Sequence, residues 1–277
     1  MSWSKDMIFG AASAAYQVEG AYNSDGRGLS IWDALSDGHV KHGDNGNTAC
    51  DEYHRFRDDI ALMKKLNLQA YRFSVSWPRV IPKEGVVNEK GIRYYQNLVD
   101  EVLTQGMIPM VTLYHWDLPM WMHEKGGWYA DEIADQFASY VKVVVDALSD
   151  RVKYWMTMNE AATFIGAGYL EGLHAPFETV SRDAEDFEEK VSVLTKHVLL
   201  AHGRAVQIIR KKAKLQPVIG IAMDGKIFLP DSEEEKDIKH ARQETYTEDV
   251  DCHRINWWLD PICKGTVNPV LQKKISA

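Results

Sequence analysis

Apolar residues recur along this chain in two periods, and the alternation between them is the first structural signal. Short apolar runs at Ile8 to Ala12, Ala70 to Val75, Ile108 to Tyr114, Lys153 to Thr157 and Val218 to Met223 predict β-strands. Between them, apolar positions step by three and four residues, as on one buried helix face. Asp51 to Leu66 does this with Tyr53, Phe56, Ile60, Met63 and Leu66; Asn88 to Gln105 does it with Ile92, Tyr95, Leu98, Val99 and Val102. The second of these opens on a capping Asn88 and closes at Gly106. Asp131 to Ser149 would bury Ile133, Phe137, Tyr140, Val141, Val144 and Leu148, and a long pattern runs from about Asp186 to Lys212.

Strands that alternate with helices imply βα units and a parallel sheet. Near-continuous apolar runs such as Ile108 to Leu113 suggest burial on both faces, as in a barrel wall or doubly wound sheet. A GxGxxG is missing from the first βα turn, so a dinucleotide fold is not favoured. The segments after the strands are long and carry Trp, His, Asp and Glu, which is how barrels place function on βα loops. Five units are visible where a closed (β/α)8 barrel needs eight. The tail from Asp231 to Ala277 reads as helix plus loop without a sixth strand. The expectation is therefore a single catalytic-domain portion over 1–277: an incomplete TIM barrel whose open edges call for a complementary partner.

Composition narrows the partners. A formal charge of -8 and no basic patch argue against nucleic acid and anionic membrane surfaces. No segment approaches the length of a membrane span, and Met1 to Asp6 does not resemble a secretory signal. Asn-x-Ser/Thr sequons are absent, and the scattered Cys50, Cys252 and Cys263 suggest reduced thiols. A cytoplasmic location is the natural expectation. Nine Trp and twelve Tyr are mostly core filler, although sugar sites also use such rings against the C–H faces of a pyranose.

The most informative short segment is Trp155-Met156-Thr157-Met158-Asn159-Glu160, an amide and a carboxylate at the end of an apolar run. At a strand's C-terminal end the pair would face the mouth of an α/β fold, where the chemistry sits. Hydrolysis of a sugar acetal needs a protonated carboxyl at the leaving oxygen and a second carboxylate below the ring. Glu160 is the candidate acid, and Asn159 suits the sugar's 2-hydroxyl. The alternative is that Asn159-Glu160 merely caps the next helix.

Phe9 to Ala21, Asp25 to Asp33, Tyr71 to Arg79, Thr112 to Pro119, Gly126 to Trp128 and the Asn159-Glu160 pair resemble, in the same order, segments of glycoside hydrolase family 1, the β-glucosidase family. The resemblance implies a (β/α)8 fold, retention of configuration, no metal or other cofactor, and β-linked glucosides or galactosides as substrates. Carried over by position, Gln17, His115 and Asn159 would bind glycone hydroxyls, Trp116 would line the pocket, Glu160 would be the acid/base, and Arg72 would lie beneath and hold the nucleophile ionised. Each has a plain reading too: Gln17 a surface amide, His115 a core histidine, Arg72 a buried ion-pair member. Trp32, Trp77, Trp128 and Trp155 are expected in the core.

Tyr16 before Gln17 resembles members acting on unphosphorylated sugars, and Glu160 in place of glutamine argues against the thioglucosidase branch. Two departures stand out. Ala161 occupies the place where the family usually has Pro, and the family's nucleophile, a glutamate in a Thr-Glu-Asn-Gly context on the seventh strand, would lie beyond Ala277. The chain alone is then expected to be inactive, with a possible second chain completing the barrel. The alternative is a non-catalytic sugar-binding or assembly module; a further one is an open five-stranded α/β protein with a new function.

Overall fold

The computed structural model describes residues 4 and 6–275, so most of the Met1 to Asp6 segment and the final Ala277 lie outside the described residues. Five parallel strands form one sheet in the order β1-β2-β3-β4-β5: β1 Gly10–Ala12, β2 Ala70–Ser74, β3 Ile108–Thr112, β4 Tyr154–Asn159 and β5 Val218–Ala222. Sequential parallel order with helical crossovers is the arrangement of successive staves in a (β/α)8 barrel. Small residues in β1 have a steric cause: a Cβ at Gly10 would stand 2.6 Å from the Ala70 carbonyl oxygen of β2. Among the described residues no sixth strand follows; the tail is helical at Glu235–Thr245, Ile255–Leu259 and Pro269–Ile275.

The long helices form where periodicity placed them, at Glu52–Lys65, Glu89–Thr104, Ile133–Leu148 and Phe187–Lys212. Asn88 caps the second, its side chain accepting from the Lys90 amide at 3.2 Å. Every expected apolar position of the third is buried. Leu66 is an exception in the first, 63% exposed, because it follows the last helical turn and leaves the buried stripe.

Phe73, Val111 and Trp155 share one register row and are fully buried toward the helices. Arg72, Met110 and Met156, on the alternate positions, are only half-buried. Burial on both faces therefore holds only in part: five staves do not enclose the inner face. β5 is more open still, with Val218 46% exposed. Trp77, Trp128 and Trp155 are core residues as expected, whereas Trp32 is half-buried at the rim.

A polar cluster lies inside the wall. Arg79 donates to Glu19 at 2.8 Å and to the Gly20 carbonyl at 3.1 Å, and packs 4.3 Å from the Tyr53 ring centre. Tyr95 donates to Glu19 at 2.5 Å, and Tyr71 donates to Glu52. All of these groups but Tyr53 are buried. The Asp25 to Asp33 segment is likewise structural in its details: Ser30 and Asp33 make a capping box, and Asp33 pairs with Arg27 at 2.7 Å.

Candidate active site

β4 does not run straight to its end. Its pairing with β5 shifts between Met156 and Asn159, where Met156 faces Gly220 and Asn159 faces Ala222. The extra residue on β4 is a bulge, a feature that re-aims the side chains beyond it. Glu160 follows in a left-handed turn, φ 50° and ψ 68°, with its amide donating to the Ala222 carbonyl at 2.7 Å.

The buried Asn159 joins three strands' worth of side chains. Its Oδ1 accepts from Arg72 Nη2 at 2.5 Å, and its Nδ2 meets His115 Nε2 at 3.3 Å. Arg72 also donates through Nε to Thr112 Oγ1 at 2.8 Å, and Trp116 donates through Nε1 to the Asn159 carbonyl at 2.9 Å. Because Arg72 can only donate, the amide oxygen must face it, and the NH2 must face the imidazole. His115 Nε2 is then an acceptor and the ring proton sits on Nδ1, which is buried without a partner among the described residues. Burial, and after it the charge of Arg72, pushes His115 down to about 4, so the ring is neutral near pH 7.

Arg72 is held between opposing effects. Burial lowers its pKa, and the negative charge of Glu160 opposes that. Among the described residues Arg72 makes no ion pair; its hydrogen-bond acceptors are neutral. Glu160 is half-buried and occupies the N-cap position of the helix Ala161–Ile165, yet its side chain makes no capping bond. Asn159 spends its amide on Arg72 and His115. The capping alternative therefore fails for both side chains.

Trp116 has φ 78°, a conformation a bulky residue rarely adopts. Strained backbone on both sides of Asn159, at Trp116 and Glu160, fits a functional centre. The Trp116 ring lies 5.3 Å from that of His174, which lies 5.6 Å from Trp32; Trp32 stacks on Tyr16 at 5.6 Å. This aromatic rim explains why Trp32 is not core. His174 was not distinguishable in the sequence, having no motif of its own.

The structure thus joins Arg72, His115, Trp116 and Asn159 by hydrogen bonds and adds Glu160 through its field. Gln17 is not part of the network: it is exposed on the one-turn helix Ala15–Val18, beside Tyr16 of the rim. Arg72 sits in the middle of β2, Gln17 lies five residues past β1, and His115 three past β3. Sequence reading missed Thr112, whose hydroxyl fixes the guanidinium. Asp117, beside Trp116, is fully buried; burial pushes it up to about 8, with the nearby Ser76 hydroxyl acting against that rise.

Two cavities lie apart from the network: about 470 Å³ between Tyr53, Phe56, Arg93 and Tyr94, and about 690 Å³ between His202, Val206, Ile219 and Leu259. Neither is lined by a residue of the network, so polar connectivity rather than volume identifies the site. No helix among the described residues is long and apolar enough to cross a membrane.

Comparison with known proteins agrees with this geometry. Beta-glucosidase A of Acetivibrio thermocellus is 40% identical over 268 residues, covering 96% of this chain and 57% of the relative. Beta-glucosidase A of Thermotoga maritima is 45% identical over 265 residues, covering 93% and 56%. A solved structure of beta-glucosidase from Thermotoga maritima in complex with deoxynojirimycin superposes with a TM-score of 0.86 at 38% identity, over 98% of this chain and 59% of that one. The chain thus spans little more than half the length of the relatives it matches. The sequence model of glycosyl hydrolase family 1 matches residues 1–277, and with the βα order and the network at the end of β4, the chain belongs to that family.

Proposed function

We infer that this chain is the acid/base half of a retaining β-glycosidase acting on β-linked glucosides or galactosides. The observation that carries the reading is the turn at the end of β4: Asn159 is fixed by Arg72 and His115, and Glu160 is turned out beside it with its carboxyl unspent. In this reading Glu160 protonates the leaving oxygen and later takes a proton from water. Asn159 and the neutral His115 bind glycone hydroxyls, Trp116 offers a face to the ring, and Gln17 reaches in from the exposed side. Arg72, lacking an ion pair, holds the nucleophilic carboxylate ionised.

No second carboxylate joins the network among the described residues, and retention needs one about 5 Å from the acid. The reading therefore assigns the nucleophile to further βα units, continuous with this catalytic-domain portion or on a second chain. Exposed apolar groups at both margins of the sheet, Ile8 beside β1 and Val218 in β5, support that. Free thiols at Cys50, Cys252 and Cys263 support a cytoplasmic location.

The isolated 277-residue chain is expected to leave an aryl β-glucoside unhydrolysed, whereas the native assembly, its chains identified by mass spectrometry, hydrolyses it and loses turnover with Glu160→Gln. Turnover by the isolated chain, abolished by Glu160→Gln, would show that the nucleophile is already present. Glucose binding without turnover by the native assembly would instead favour the sugar-binding module.

A further inference from the structure

Glu160 sits in a conformation that its own side chain disfavours. The left-handed region brings an L-residue's Cβ too close to the following carbonyl oxygen, and Glu160 occupies it at φ 50°. The helix that follows, Ala161–Ile165, has no side-chain cap and runs straight into a single π-helical turn, Gly166–Leu170, so that the whole helical stretch stays short. So short a helix is not stable by itself. The turn must be held from outside.

β5 and the residues after it provide the hold at two points. The Ala222 carbonyl takes the Glu160 amide at 2.7 Å. Asp224 Oδ2 then accepts from Thr163 Oγ1 at 2.5 Å. The first contact fixes the start of the turn; the second fixes its third helical residue, so together they set its direction. Asp224 is half-buried, and its Oδ1 is buried without a partner among the described residues. The Thr163 hydroxyl on Oδ2 is therefore the side-chain contact that keeps Asp224 in place among the described residues. The far end of the helix is wedged as well: a Cβ at Gly166 would stand 2.3 Å from the His253 ring.

We propose that Asp224, through Thr163, is a positioning residue that locks the turn carrying Glu160. This rests on reading Glu160 as the proton donor, a role in which a displacement of about 1 Å costs about 10²-fold in rate.

Amide hydrogen exchange on the 277-residue chain tests the lock without requiring turnover. In Asp224→Ala and in Thr163→Val the Glu160 amide is expected to exchange at least about tenfold faster, while Val111 and Trp155 in the central strands stay within about twofold. Asp224→Asn, which keeps an oxygen for the Thr163 hydroxyl, and Thr163→Ser are expected to restore slow exchange. Unchanged protection of Glu160 in both disruptive variants overturns the proposal. So does uniform acceleration through the central strands, or failure of both conservative variants to restore protection. Should Asp224→Ala not fold, the Thr163 pair decides alone. In the native assembly Asp224→Ala should lower kcat at least about tenfold more for a glucoside with a poor leaving group than for a dinitrophenyl glucoside, which departs without proton help; an equal loss on both overturns the proposal. Whether Glu160 is the acid at all is decided separately by Glu160→Gln.

Discussion

Two arginines seven residues apart on the same wall lead different lives. Arg79 is buried, faces Glu19 at 2.8 Å and a carbonyl at 3.1 Å, and lies over an aromatic ring. Arg72 is half-buried and bonded to the neutral oxygens of Thr112 and Asn159. Arg79 is neutralised inside the wall; Arg72 has no charged partner within ion-pair distance among the described residues. The same contrast separates the acids: Glu19 and Glu52 accept hydrogen bonds from tyrosines, whereas Glu160 has no bond on its carboxyl among the described residues. Residue type therefore does not mark the candidate site; charge left without a charged partner around Asn159 does.

The contrast is sharpest in its consequences for activity and stability. Glu160→Gln in the native assembly is expected to lower turnover of a poor-leaving-group glucoside by about 10²–10⁴-fold while leaving the urea midpoint of the chain almost unmoved. A large loss of stability would make Glu160 a wall residue like Glu19. Next in size, Arg79→Ala leaves Glu19 buried and uncompensated and should destabilise the chain by about 3–5 kcal/mol. Arg72→Ala should lose about 1 kcal/mol by the same denaturation measurement. Equal losses would erase the distinction between the two arginines.

The two clusters should also respond to pH with opposite sign. Burial pushes Glu52 up to about 7, the charges of Glu19 and Asp59 adding to it against the hydrogen bond from Tyr71. The folded state thus holds this proton more tightly than the unfolded one. The stabilisation is complete at low pH and is lost as pH rises from about 4.5 through 7, on the order of 3 kcal/mol in all. His115 behaves oppositely: with its folded value near 4, its contribution is present above about 6.5 and is lost as pH falls through 4, by a smaller amount because the ring is partly exposed. Relative to wild type, Glu52→Gln should gain stability as pH rises from 4.5 to 7, and His115→Gln should fall behind as pH rises from 4 to 6.5. Urea melts across that range check both; slopes of the same sign would mean the two sites do not differ in this way.

The helices were legible because their information is local. Phe137, Tyr140, Val141 and Val144 recur at helical spacing, and Asn88 caps its helix through a neighbour two residues away. Asn159-Glu160 was also legible, as a polar pair closing an apolar run, and family resemblance singled out Arg72 and His115. Gln17 shows the limit: its motif is intact, yet its side chain lies outside the hydrogen-bonded network.

What the sequence determined by itself was the alternation of strand and helix, the buried helix faces and the position of the acid candidate, since each follows from periodicity or from neighbours along the chain. Only the tertiary structure decided that Arg72 meets Asn159 across 87 residues, that Thr163 meets Asp224 across 61, and that β4 bulges before its last residue. Such pairings depend on how strands come into register. Register depends on which side chains turn toward the buried face, and that face exists only once strands distant in sequence have packed side by side.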